Sequence, residues 1–561
     1  MKAYLWGSGI ALFGFAIGAG SPLAGPAAGG GNVVQRRTGA QIDAWSEGAR
    51  AEGQQARPRL VVVVVVDQLA THLLERYADV FTGGFRRLLD DGYRFANAVH
   101  EHALTETAAG HTTLSTGVFP SRHGIVANDW SEPLSAGWRN VYSVSDSASP
   151  IVGVAVAEGR SPANLVRGGF ADWLSAADPQ AKIFSVSRKD RSAIPLAGRT
   201  RGQVWWMDAE QGRFVTSTWY RTEEPEWVTR FNAGMPWTHG DTVWTSTVPA
   251  GLVARARPDS SVFEGDGVHV MFPHRASEEA DSGEVGLNLW YTEVPFADAA
   301  TLAFAKAGVE ALDLGTDEHT DYLAVSFSQV DAVGHDYGPT SLEQLDNLLR
   351  LDRLLGELLA FVDARAGAGR WVLGFSADHG IMIEPELRAE WGQPARRLPF
   401  RELRAIVQAA NEGAGGGDLN EMRARAARLL EANDVIADVM TEDELAATGV
   451  PADSFVALYR NSYFRGRNAG SLGRSGMWVR FAEGTLVSYA RGSSHGTPYL
   501  YDRAVPLIFM GRGVTGGVSD AAARTVDLAP TLAGLLGIVM PADLDGRVLT
   551  IPGLIPAGPR H

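Results

Sequence analysis

The 561 residues carry 65 acids against 50 bases, a net charge of −15, with 45% apolar and 20% charged residues. This is the composition of a soluble globular protein, and its charge disfavours non-specific binding to nucleic acid, whose phosphates would be repelled. There is no cysteine, which excludes disulfides, thiolate metal ligands and cysteine nucleophiles.

The chain opens with Lys2, an apolar run from Leu5 to Ile17 and then small residues. That is the pattern of a secretory signal peptide, and the run is short of the ~20 residues of a membrane span. We expect residues 1–28 to be the signal and 29–57, rich in Gly, Arg, Gln and Ala, to be a flexible lead-in. The mature protein would then be periplasmic or secreted, with no membrane span.

Continuous apolar runs follow at 59–66 ("RLVVVVVV"), 182–187 ("KIFSVS"), 321–328 ("DYLAVSFS"), 370–376 ("RWVLGFS") and 504–511 ("AVPLIFMG"). Runs without polar alternation predict strands covered on both faces. Between them lie helical patterns, the clearest at 341–364, where Ser341 is a candidate N-cap. Strands alternating with helices predict an α/β fold with a largely parallel sheet. Two segments break this rhythm: 200–300, with Trp205, Trp206, Trp219, Trp227, Trp237 and Trp244, and 381–490, with Gly-rich and charged helical stretches. Both read as insertions projecting from the sheet. The acid-rich stretch 277–284 reads as a solvated loop, with calcium binding as its other reading.

The strand ends carry the chemistry. Asp67 ends the valine run. "SFSQVDAVGHDYGP" supplies Asp331 and His335, "GFSADHG" supplies Asp378 and His379, and "GSSHG" supplies His495. Any one of these has a bland reading, such as a helix cap beside a surface histidine. Together they are carboxylates and imidazoles in Gly- and Ser-flanked turns beyond apolar runs, where open α/β sheets gather ligands. Such donors suit zinc. Six exceed one tetrahedral ion, so two metals are implied, with the ~3.5–4 Å separation usual for hydrolysis.

In "TETAAGHTTLSTGVFPSRHGIVANDW" (105–130), Thr105 and Thr107 stand near a helix start. Such a start favours a phosphate and could present an activated threonine nucleophile; simple capping is the other reading. In "VSRKDRSAI" (186–194), Lys189 and Arg191 would point the same way on an extended segment. Two cations there suit phosphoryl oxygens, or form a basic surface turn.

The order and spacing of these motifs, from about 59 to 550, resemble the alkaline phosphatase superfamily of two-zinc phosphoryl-transfer enzymes, and within it the PafA-type bacterial enzymes with a threonine nucleophile. The stretches "RTVDLAPTLAGLLGI" and "LDGRVL" look like that family's closing helix and tail. The resemblance implies an alkaline-phosphatase-like three-layer sandwich over 58–556, with cap insertions at about 200–300 and 381–490. It implies one zinc held by Asp331, His335 and His495, and another by Asp67, Asp378 and His379 with Thr107 bridging. It selects Thr107 as nucleophile, because that residue precedes the small-small-Gly-His segment "AAGH". Asn128, Lys189 and Arg191 would contact the phosphoryl oxygens. Ala109 stands where many relatives would have proline. The implied activity is phosphate monoester hydrolysis releasing inorganic phosphate by a monomer, with a superfamily phosphodiesterase or a non-catalytic metal- or phosphate-binding protein as alternatives.

Overall fold

The computed structural model describes residues 57–552, except 155–157, 236–241, 448, 471 and 489. The expected signal peptide and nearly all of the lead-in therefore lie outside the described residues. So does the stretch from 553 to the expected domain end at 556.

The valine run forms β1 (Leu60–Val66) at the heart of a nine-stranded sheet. The other strands in chain order are β2 (Tyr93–Val99), β3 (Ile183–Ser187), β4 (Gln203–Asp208), β5 (Arg213–Val215), β6 (Asp321–Phe327), β7 (Trp371–Ser376), β8 (Leu507–Gly511) and β9 (Gly517–Arg524). They lie side by side in the order β9-β2-β8-β7-β1-β6-β3-β4-β5. β1 pairs in parallel with both neighbours, Val64 lying opposite Val325 and Phe375. The β6–β3, β3–β4 and β2–β9 pairs are also parallel. β8 runs antiparallel to β7 and β2, and β5 antiparallel to β4. The sheet is thus mixed and mostly parallel.

Period-2 alternation explains why six valines stand in a row. Val62, Val64 and Val66 enter one apolar core, and Val61, Val63 and Val65 enter the other. Helices cover both faces, so every position of the strand is dry. On one side lie α3 (Phe296–Ala311) and α5 (Leu342–Ala366). On the other lie α2 (Asp190–Leu196) and α6 (Leu528–Leu536). α5 begins where the sequence places its cap: the Gln344 amide donates to Ser341 Oγ at 3.0 Å.

The segment 200–300 does not simply project from the sheet. β4 and β5 belong to it, and Trp205 and Trp206 alternate into opposite cores. Bulky aromatic residues suit a half-buried pleated surface, a signal masked by the Gly- and Pro-rich neighbourhood. The segment 381–490 carries its own apolar cluster, including Leu398, Leu403, Val407, Leu430 and Ile436. Its two-stranded pairs, Arg396–Pro399 with Thr485–Ser488 and Ile436–Thr441 with Met477–Phe481, lie outside the nine-stranded sheet. Among the described residues no helix is long and apolar enough to cross a membrane.

Candidate active site

Because β1, β3, β6 and β7 run parallel, their carboxyl ends share one edge of the sheet. Asp67 follows β1, Lys189 and Arg191 follow β3, Asp331 and His335 follow β6, and Asp378 and His379 follow β7. Asp331 and His335 are not in a turn. They sit one turn apart on α4 (Gln329–Tyr337), the i, i+4 spacing that places two side chains on one face. Nor is the Lys189–Arg191 segment extended: Lys189 is the N-cap of α2 and Arg191 lies in its first turn. Thr107 is the first residue of α1 (Thr107–Thr116), a helix buried along its whole length.

Two groups of side chains bring three ligand atoms within 4.8 Å of one another: Asp331, His335 and His495, and Asp67, Asp331 and His379. In the first, His335 Nε2 lies 3.1 Å and His495 Nε2 3.6 Å from Asp331 Oδ1. In the second region, His379 Nε2 lies 3.5 Å from Asp67 Oδ1 and 3.5 Å from Asp378 Oδ2.

The histidine tautomers follow from their partners. Nδ1 meets a backbone carbonyl in each case: Ser493 for His335 at 2.8 Å, Gly380 for His379 at 3.1 Å and Thr105 for His495 at 2.7 Å. A carbonyl only accepts, so Nδ1 carries the proton and Nε2 keeps its lone pair, as for metal-ligating histidines. Burial pushes His379 below, and His495 well below, the usual imidazole range. Their rings stack at 3.6 Å and 16°, an arrangement suited to neutral imidazoles.

These residues fit a metal on a further ground. Asp67 Oδ1 and His379 Nε2 are buried with no hydrogen-bond partner among the described residues. Two lone pairs 3.5 Å apart without a donor would cost ~1–3 kcal/mol per group unless a cation is shared between them. Oxygen and imidazole nitrogen are ordinary ligands of zinc and neighbouring divalent ions.

The buried ammonium of Lys189 stands 2.5 Å from Asp67 Oδ2 and 2.5 Å from Asp331 Oδ2. It therefore bridges two candidate metal ligands in this structure. Despite burial, the Lys189 ammonium holds Asp331 well below the usual carboxylate range. Asp67 is pushed well above it, by burial first and then by the neighbouring Asp378 charge.

The helix start is arranged around Thr107. Asn128 Oδ1 accepts from the Ala108 amide at 2.9 Å, which leaves the Asn128 amino group as a donor. Glu106 accepts from the Asn128 backbone N–H at 2.7 Å. The hydroxyl of Thr105 donates to the Thr497 carbonyl at 3.1 Å, and its carbonyl receives His495. Thr105 thus buttresses a histidine. Arg191 Nη1 lies 3.5 Å from the Tyr142 hydroxyl.

Sequence reasoning assigned no role to two residues in this shell. His111 contacts the Thr107 carbonyl at 2.9 Å, Ser326 Oγ at 2.8 Å and Asp378 Oδ2 at 3.1 Å, joining α1 to β6 and the β7 end. Gln68, at a φ of 69°, donates its amide N–H to Asp378 at 3.0 Å and its side-chain N–H to Asp331 at 2.8 Å. His111 was visible as the histidine of "AAGH". Nothing in sequence marks Gln68 beyond its place next to Asp67. In the stretch 277–284, Glu279 turns inward to His274 and Trp290.

Fold and site define a metal-dependent phosphoesterase built on an alkaline-phosphatase-like sheet. The family described as type I phosphodiesterase / nucleotide pyrophosphatase matches residues 61–468. Alkaline phosphatase PhoV of Synechococcus elongatus is 32% identical over 529 residues, 88% of this chain and 93% of that one. Alkaline phosphatase PafA of Elizabethkingia meningoseptica is 31% identical, over 90% of this chain and 96% of that one. A crystal structure of wild-type PafA superposes with a TM-score of 0.78 at 29% identity, covering 88% of this chain and 98% of that one. The chain belongs to this family, among its PafA-type alkaline phosphatases, and is a phosphatase.

Proposed function

We propose that the chain is an exported, zinc-dependent phosphate monoester hydrolase that releases inorganic phosphate through a phosphothreonine at Thr107. The observation that carries this reading is the meeting of Asp67 Oδ1 and His379 Nε2, 3.5 Å apart and without donors among the described residues, at the sheet edge where Thr107 opens α1. One zinc would be held by Asp331, His335 and His495, and the other by Asp67, Asp378, His379 and Thr107. Bound there, zinc supplies Lewis-acid charge that favours the deprotonated nucleophile and the departing oxygen.

The protein's own groups do the rest. Thr107 Oγ1 attacks phosphorus in line, and the ester's leaving oxygen departs with the bonding pair. Water then cleaves the threonine phosphate and regenerates the hydroxyl. A loose phosphoryl transition state asks mainly for positioning and charge. Asn128 Nδ2, the α1 N-terminus, Arg191 and Lys189 would serve the equatorial oxygens. For Lys189 this requires its ammonium to leave the two aspartates that it bridges in this structure.

The family's description as phosphodiesterase favours a second reading, hydrolysis of diesters at the same site. The test is kcat/KM for p-nitrophenyl phosphate and for bis-p-nitrophenyl phosphate on the zinc-loaded mature protein, before and after chelation. A monoester preference that chelator abolishes and zinc restores is expected. A diester preference would replace the first reading by the second. Turnover of neither by folded, metal-loaded protein would leave a binding protein.

A further inference from the structure

The cations assigned to the phosphoryl group are held differently. Lys189 is bound by two carboxylates. Arg191 makes no ion pair among the described residues, and its buried Nε has no hydrogen-bond partner there. The side chain it does meet, through Nη1, is Tyr142.

Tyr142 ends the second strand of the hairpin Asp129–Pro133/Trp138–Tyr142, which begins directly after Asn128. The hairpin closes on itself beside that asparagine, since the Ser143 amide donates to the Asn128 carbonyl at 2.8 Å. The Tyr142 hydroxyl donates to Asp190, the residue between Lys189 and Arg191. Asp190 also accepts from Arg160 Nε at 2.7 Å and from the Arg191 backbone N–H at 2.6 Å. The Arg160 guanidinium lies 4.9 Å from the centre of the Tyr142 ring. Burial pushes the phenol well above its usual range, so the hydroxyl stays a donor toward Asp190 and offers its lone pairs to Arg191. The network therefore ties the turn bearing Asn128 to the start of α2, which bears both cations.

We propose that Tyr142 is a positioning residue for Arg191: braced by Asp190 and Arg160, its hydroxyl aims the guanidinium at the phosphoryl group and sets the preference for dianionic monoesters over diesters. This rests on the function proposed above. A monoester presents two negative charges on its terminal oxygens and gains most from a second aimed cation. A diester carries one charge and gains less.

The test is Tyr142→Phe in the zinc-loaded chain, alone and combined with Arg191→Ala, assayed on both nitrophenyl esters. The phenyl ring keeps its packing beneath Arg160, so only the hydroxyl is removed. Loss of one charge-assisted contact should lower monoester kcat/KM by about tenfold. Diester kcat/KM should stay within about twofold, and Tyr142→Phe should add nothing once Arg191 is gone. Equal losses on both esters, or the same loss with and without Arg191, would overturn the proposal and leave Tyr142 a structural residue. A normal Arg191→Ala loss beside a silent Tyr142→Phe would overturn it while sparing the function above. An Arg191→Ala variant with an unchanged ester ratio would overturn it and remove Arg191 from the phosphoryl contacts, leaving the monoesterase reading to its own test. Should Tyr142→Phe not fold, Arg160→Met loosens the same brace from its far end and should lower the ester ratio in the same direction. An unchanged ratio in that variant would overturn the proposal.

Discussion

Gly110 lies in the interior of α1, where glycine is normally a weakness, and replacing it with alanine poses a quantitative question. Helix propensity alone favours Gly110→Ala by ~0.8–1.0 kcal/mol. The structure opposes it. A Cβ at this position would lie 2.1 Å from the Asp378 carbonyl oxygen and 2.7 Å from both its carbonyl carbon and its Cβ. Ordinary contact begins near 3.4 Å, so α1 and the turn bearing Asp378 must part by about 1 Å, in an interior packed too densely to absorb it. Overpacking of this kind costs ~1–3 kcal/mol, which equals or exceeds the propensity gain. The effect on activity should be larger than the effect on stability. Thr107 rides on α1 and Asp378 on the other side of the contact, and a misplacement of ~1 Å between reacting groups can cost ~100-fold. The assay is monoester kcat/KM together with zinc content and the thermal midpoint, each at one scan rate and against the parent chain. The expected result is a folded protein, slightly less stable, with activity down by about two orders of magnitude. A Gly110→Ala protein that is fully active and melts at a higher temperature would refute the reasoning, because propensity would then have outweighed the contact.

Thr107→Ala should keep fold and zinc but lower turnover by ~1,000-fold or more; near-parental hydrolysis would place the nucleophile elsewhere. Asp298 caps α4, accepting from the Ser328 and Gln329 amides at 2.8 and 3.3 Å, and burial raises its carboxyl to about 7. The folded state then holds a proton that the unfolded state releases between its ordinary value of 3.8 and about 7. Stability from this group should therefore fall as pH rises through that window and level off above it. Asp298→Asn should flatten that slope in denaturant titrations run from pH 4.5 to 8, and an unchanged slope would remove Asp298 as its source. Phe304 is fully buried, stacks on Phe214 at 4.2 Å and lies 5.8 Å from Trp205. Phe304→Ala should cost ~3–5 kcal/mol in denaturant unfolding; a loss below ~1 kcal/mol would mean that the aromatic cluster is not what fastens residues 203–311 to the sheet.

Much of the frame was legible from residue order alone. A run of six valines has no polar position to spare, so it had to be a strand buried on both faces, and β1 is one. The strand ends at Asp67, Asp331, Asp378 and His379 announced a site because charged and imidazole groups rarely follow such runs without a partner. Ser341 announced the start of α5 by its cap chemistry. These are local properties: alternation, capping and the direction in which a strand delivers its last side chain.

Other features depended on what the folded chain brings together. Composition around 200–300 suggested a projecting insertion, but pairing along β3 drew Trp205 and Trp206 into the sheet. Only the packed structure shows that His335, His379 and His495 all turn Nδ1 to a carbonyl, that Asp67 Oδ1 and His379 Nε2 lack donors among the described residues, and that Gln68 and His111 tie the acids in place. The same holds for Tyr142, which is 49 positions from Arg191 and meets it because a hairpin folds back beside Asn128. The chain's order could name the donors, since residue type carries their chemistry. Their directions and missing partners belong to contacts between distant segments, which exist only once burial has excluded water from between them.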